Sequence, residues 1–157
     1  MSTHWTDEEY KDCESAKNFK ELLHIAFKIL ERMKKSGKQI VEVCGPMTTG
    51  GRGSQGENFR LYNYAVKMLE NDGKIVFNPT PFQKTMERLS NHLKDGQYNM
   101  DILEIFYKGL FDSGYIDEVY FLPDWQSSIG ASWERKTIAD FGIKIGEYPT
   151  EFLKDFK

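Results

Sequence analysis

Short β-branched runs alternate with helical periodicity along this chain, and that alternation restricts the available folds more than any other feature. From Asn18 the apolar residues Phe19, Leu22, Leu23, Ala26, Ile29, Leu30 and Met33 recur at three-four spacing, one face of a helix that stops at Gly37. Gln39–Cys44 then reads as a strand. Asn58–Asp72 is helical again, with Phe59, Tyr62, Ala65, Val66 and Leu69 on one face, and Lys74–Phe77 is the second strand. A short helix is expected around Lys84–Leu93 and another over Met100–Phe111. Glu118–Leu122 gives the third strand, Glu134–Phe141 a helix ended by Gly142, and Ile143–Ile145 a last short strand. Alternation of this kind predicts an α/β protein with an open, mostly parallel, Rossmann-like sheet of about four to five strands flanked by helices. Residues 1–17 are polar and acidic and read as an N-terminal arm or a loosely docked helix, and residues 18–157 as a single α/β domain.

In such a sheet, ligands bind beyond the carboxyl ends of the strands. Three loops fall there: Gly45–Glu57, Asn78–Phe82 and Pro123–Ser132. The first holds five glycines, Gly45, Gly50, Gly51, Gly53 and Gly56. Glycine lets backbone approach a ligand closely. The spacing matches neither a P-loop nor a dinucleotide fingerprint, so the alternative is a plain surface loop. Arg52 is placed to meet a phosphate, or simply solvent. Asn78-Pro79 closes the second strand and fits a turn as well as a site.

The third loop is the most informative. Pro123-Asp124-Trp125-Gln126-Ser127-Ser128-Ile129-Gly130-Ala131-Ser132-Trp133-Glu134 runs from a strand through a Ser/Gly turn into a helix. A strand, tight loop and helix start can hold an anion or a sugar. Glu134 is expected in the first helical turn, beside that loop. A carboxylate there can attack or stabilise an anomeric carbon, or it can simply favour the helix dipole. Asp124 at the loop tip suits chemistry or a turn. Asp101 suits a helix start or the crevice, and Asp117 before the third strand reads as structural.

A formal net charge of -3 argues against a nucleic-acid polymer as partner, because groove binders carry a basic excess. His4, His24 and His92 form no cluster, so no metal site and no cofactor are assigned. Cys13 and Cys44 have neither zinc-site nor redox-pair spacing, which fits a reducing, cytoplasmic setting. No apolar run approaches the roughly 18 residues of a membrane span, and the N-terminus lacks a signal pattern.

Gly45-Pro46-Met47, Asn58-Phe59, Ala65, Leu69, Gly73, Val76 and Asn78-Pro79 occur in one order with Leu122-Pro123, Trp125, Ser128, Gly130-Ala131, Glu134, Ala139 and Gly142. On these residues the chain resembles the nucleoside 2-deoxyribosyltransferase-like superfamily over roughly residues 39–146, most closely a small branch with Gly-Pro-Met-Thr-Gly and Trp-x-x-Ser-x-Gly-Ala-x-x-Glu. The resemblance implies a flavodoxin-like fold and cleavage or transfer of the N-glycosidic bond of a nucleoside or its 5′-monophosphate. Glu134 would be the nucleophile that attacks C1′ and forms a glycosyl-enzyme, released by water or a second base. Asp101 or Asp124 would serve as acid/base. Ser128 and Gly130 would bind the 5′-phosphate, and Met47 and Thr48 would line the sugar and base pocket. Gly45, Pro46, Asn78, Trp125 and Ala131 complete the candidate substrate-binding set. A homo-oligomer is implied, because sites in this superfamily borrow residues from a neighbouring subunit. Two departures stand out: the loop after Met47 is longer than the short Thr-Gly form, and Trp125 and Trp133 crowd the site. The rival readings are a nucleotide-binding module without catalysis and a glycohydrolase acting on NAD.

Overall fold

Helix and strand alternate along the chain as the periodicity predicts. The computed structural model describes residues 4–47, 49–94 and 97–157. The elements are α1 (Asp7–Ser15), α2 (Phe19–Lys34), β1 (Ile40–Cys44), α3 (Gln55–Asn71), β2 (Ile75–Phe77), α4 (Gln83–Leu89), α5 (Lys108–Asp112), β3 (Glu118–Phe121), α6 (Ile129–Ile138) and β4 (Lys144–Glu147). A π-helical segment, Ile102–Tyr107, leads into α5. None of the described helices is long and apolar enough to cross a membrane.

The chain forms two compact units: residues up to Ser36 with Pro79–Tyr115, and Gly37–Asn78 with Ile116–Lys157. The first is helical. Residues 7–15 of the polar N-terminal stretch form a helix, fixed at its start by a capping box between Thr6 and Glu9. Glu9 also takes Arg32 of α2 at 2.5 Å. Trp5 packs on Phe82, whose ring meets Phe106 edge-on at 5.0 Å. Asn18 caps α2 by accepting the Glu21 N–H at 2.9 Å.

The second unit holds the sheet. Its order is β2-β1-β3-β4, every pair parallel. This is an open α/β sheet consistent with a flavodoxin-like fold, whose strand order reverses between β1 and β3. β1 is buried along its whole length. On one face Val41 and Val43 join Tyr62, Ala65, Val66 and Leu69 of α3 with Val76, Leu122 and Tyr148 in an apolar core. Asp117, read as structural, accepts the Ile40 N–H at 2.9 Å and so fixes the register at the sheet's entry edge.

Among the boundaries that differ from the sequence reading, three lie around the sheet's loops and edge. α6 begins at Ile129, not Glu134: Ser128 is extended and its hydroxyl accepts the Ala131 N–H at 3.1 Å, so the Ser/Gly run is a cap and a first turn. Glu134 therefore lies in the second turn, outside reach of the helix-dipole explanation. α3 begins at Gln55 rather than Asn58, because Ser54 caps it through the Glu57 N–H at 3.2 Å and Gly56 is helical. β4 runs Lys144–Glu147 rather than Ile143–Ile145. Its pairing with Glu118–Phe121 carries it through Gly146, where a Cβ would sit 3.2 Å from the Tyr120 ring.

Candidate functional site

β1 and β3 are adjacent and parallel, so their carboxyl ends deliver two loops to one place. Leu122 N donates to Cys44 O at 2.9 Å, which extends the pairing by one residue past both strands. Gly45 follows at once. A Cβ there would lie 2.6 Å from Leu122 Cδ1, so only glycine lets the chain turn against that side chain.

The glycine loop is organised by one buried amide. Asn58, 3% exposed on α3, donates to Met47 O and Gly50 O at 3.0 Å each and accepts the Arg52 N–H at 2.8 Å. Gly50 and Gly51 have φ of 67° and 73°. A Cβ on Gly50 would fall 2.1 Å from Ser127 O. That closeness is used: Gly51 N donates to Ser127 Oγ at 2.8 Å, and the same hydroxyl donates to Asp124 O at 2.7 Å. Ile129 N donates to Thr49 Oγ1 at 3.0 Å. The two loops are thus stitched together. They leave an open pocket of about 440 Å³ lined by Gly50, Gly51, Gly53, Ser54, Gln55, Asn58 and Ser127, at the start of α3.

Beneath the loops lies a cluster of acids. Glu134, 7% exposed, points its Oε2 at Cys44, whose thiol donates to it at 3.0 Å. Burial pushes the Glu134 carboxyl up to about 7, while the thiol's hydrogen bond pulls the other way. Glu42, two residues before Cys44 and on the same face of β1, is 1% exposed, and its Oε2 has no hydrogen-bond partner. Burial first, then the charge of Glu134, hold Glu42 well above the ordinary carboxyl range. Burial first, then the charges of Glu134 and Glu42 and the hydrogen bond to Glu134, raise the Cys44 thiol. Burial thus favours the neutral forms of Glu42 and Cys44 and brings Glu134 into the range where it exchanges a proton near neutral pH. A carboxyl that titrates there can act as nucleophile or as proton carrier.

The second unit brings together Glu134, Asp124, Gly45, Pro46, Met47, Asn78, Trp125, Ser128, Gly130 and Ala131. Ser128, 4% exposed, spends its hydroxyl on capping α6. Asp124 is exposed at the loop tip. Trp125 meets Phe121 edge-on at 5.8 Å and lies 4.6 Å beneath the Arg135 guanidinium, so it packs under an arginine. Asn78 donates to Asn63 Oδ1 at 3.0 Å, tying the end of β2 to α3. Arg52 lies over Phe156 and pairs with Glu57 at 3.7 Å. Asp101 belongs to the first unit, where it is exposed and helical; Asn99 starts that helix by accepting the Asp101 N–H at 3.1 Å. Thr48 lies outside the described residues. Among the described residues no group of three or more His, Cys, Asp or Glu could hold a metal ion.

Glu42, Cys44, Asn58 and Ser127 were not singled out as site residues from sequence. Glu42 carries the plainest signal, since a carboxylate inside Ile40-Val41-Glu42-Val43-Cys44 breaks the continuous apolar run of a buried parallel strand. Cys44 reads from sequence as the end of a buried strand and as a sign of a reducing compartment. Asn58 and Ser127 offer no such signal, because their partners are backbone atoms placed by the fold.

The comparisons with known proteins meet this part of the chain. The model of a family described as a domain of unknown function, DUF4406, matches residues 39–147. That span runs from the residue before β1 to the end of β4 and contains every group in the acidic cluster. No curated protein and no solved structure matches the chain.

Proposed function

The chain belongs to the DUF4406 family, a domain of unknown function, and from the site it carries we propose that it cleaves or transfers the N-glycosidic bond of a nucleoside or its 5′-monophosphate. One observation carries the reading: a buried glutamate, Glu134, is held by Cys44 where the loops after β1 and β3 meet, and burial pushes its carboxyl up to about 7. The sequence resemblance supplies the reaction class. The ionised Glu134 attacks C1′, the bond from C1′ to the base breaks, and the base leaves with the electron pair and takes up a proton. Water or a second base then attacks C1′ and frees the carboxylate. The pocket's backbone N–H groups and Ser127 suit a phosphate or sugar hydroxyl. Asp124 is the acid/base candidate of the same unit. Two free cysteines fit a reducing, cytoplasmic setting, and assembly of several copies belongs to the same reading.

The test is chromatographic detection of free base from a panel of deoxynucleosides, their 5′-monophosphates and NAD, with and without acceptor base. Release from one substrate that falls at least about 10³-fold in Glu134→Ala is expected for loss of a nucleophile. Release that persists in the variant would overturn the mechanism. A second reading, a nucleotide-binding module without chemistry, is favoured by one observation: Glu134 does not line the pocket of about 440 Å³. Thermal stabilisation by a nucleotide with no base release would select it, and NAD in the panel separates the glycohydrolase variant.

A further inference from the structure

We propose that Cys44 is the positioning residue for Glu134 and that Glu42 is its proton-holding partner, so that the three groups together never carry more than one negative charge. The kinetic part of this rests on the reading of Glu134 as the reacting carboxylate; the charge assignment does not.

The geometry comes from β1. Glu42 and Cys44 are two apart on a parallel strand, so both side chains stand on the face opposite Val41 and Val43. Cys44 reaches α6 and gives its S–H to Glu134 Oε2 at 3.0 Å. A donor on one oxygen fixes the plane of the carboxylate and leaves Oε1 for chemistry. It also favours the ionised form. Among the described residues Glu42 forms no ion pair, and its Oε2 has no hydrogen-bond partner. Two carboxylates buried this way cannot both ionise, because the second charge meets the first with little water between them. Glu134 Oε2 has a donor and Glu42 Oε2 has none, so the charge settles on Glu134 and the proton stays on Glu42.

Among the described residues, the charged groups on and around α6 are engaged elsewhere or exposed. Arg135, next in sequence, lies over Phe121 and Trp125 and pairs with Glu147, and its buried Nη1 makes no hydrogen bond to either carboxyl. Lys136 and Asp140, at the far end of α6, are exposed, as is Asp124 before it. A positioning role explains why a buried strand tolerates a carboxyl and a thiol side by side, where an apolar pair would pack at no electrostatic cost.

The experiment is carboxyl titration by ¹³C NMR on the full chain, with glutamate labelled and the two signals assigned by Glu42→Gln and Glu134→Gln. In the wild type the Glu134 signal is expected to titrate near 7, with the Glu42 signal still that of the protonated acid at that pH. Cys44→Ala should move the Glu134 midpoint up, and Cys44→Ser, which keeps a donor, should bring it back toward the wild-type value. Glu42→Gln should leave that midpoint where it is, because it replaces one neutral group by another. A Glu42 signal that ionises first overturns the proposal. So does a Glu134 midpoint unchanged in Cys44→Ala, or a Cys44→Ser variant that matches Cys44→Ala. With a substrate in hand, Cys44→Ala should lower kcat at pH 6 about tenfold with KM unchanged, the size of one hydrogen bond to a charged group. Absence of base release from wild-type protein would overturn the glycosidase reading alone, since the titration needs no turnover.

Discussion

The two faces of β1 are built on opposite principles. Val41 and Val43 pack on Tyr62, Ala65, Val66 and Leu69 in a core of aliphatic and aromatic side chains. On either side of Val43, Glu42 and Cys44 face Glu134, so this side of the strand buries its own carboxyl and thiol against a second carboxyl from α6. The apolar face stabilises the fold by removing hydrocarbon from water, whatever the pH. The acidic face costs stability, and the cost depends on pH, because burial disfavours the charged forms. A strand that gives up half its packing to strained ionisable groups is expected at a site rather than in a scaffold.

The largest effect separating the faces comes from the apolar one. Leu69→Ala should cost about 2–5 kcal/mol, the usual price of a cavity at a fully buried leucine. Leu69 is 1% exposed, so its surroundings are closed on every side. Denaturant unfolding should give the same loss at pH 5.5 and pH 8. A loss that varied strongly between the two would mean that the acidic face is coupled to this core, and the contrast between the faces would fail.

The second effect has the opposite signature. Burial pushes the Glu134 carboxyl up to about 7 in the folded chain, against the 4.5 of an ordinary glutamate. Its folded form therefore keeps a proton that the unfolded form has already lost, and stability drains away as pH rises from about 4.5 to about 7. Glu134→Gln removes that drain while keeping an acceptor for the Cys44 thiol. The variant should gain on the wild type across this window, by a few kcal/mol at most, and the gain should level off above it. Unfolding curves at half-unit pH steps would show it. A difference that is flat with pH would place Glu134 in an ordinary aqueous environment and remove the basis for the acidic face.

Sequence carried the first face almost entirely and the second only in outline. The β-branched run Ile40–Cys44 and the apolar spacing of α3 are local patterns, and local patterns decide which face of a strand meets which face of a helix. Glu134 was found because a strand-loop-helix motif points to it. Its true position in the helix was missed because Ser128-Ile129-Gly130-Ala131 reads as loop, while a serine cap and a small-residue first turn are what start the helix there. The Glu42–Cys44–Glu134 cluster joins positions 90 residues apart. No local periodicity encodes it; only the β1–β3 adjacency and the return of α6 do. The Asn58 clamp is hidden for the same reason, since a buried amide is specified by the carbonyls around it.

The smallest expected effect tests whether the apolar face is apolar throughout. Tyr62 is fully buried, and its hydroxyl donates to Val43 O at 2.7 Å, so one polar contact crosses that core and lands on β1 itself. Val43 O sits one residue before the strand's last, and its ring-side partner therefore helps hold the end of β1 from which the glycine loop departs. Tyr62→Phe keeps the ring and deletes the bond, leaving a carbonyl short of one partner. The loss should be about 1 kcal/mol, a fall in melting temperature of about 2–4 °C for a chain of this size, equal at pH 5.5 and pH 8. It should leave the Glu134 titration where it is, because the hydroxyl and the carboxyl stand on opposite faces of the strand. A shift of that titration in Tyr62→Phe would show that β1 transmits strain from its packed face to its acidic one, and the two faces would then have to be treated as one mechanical element.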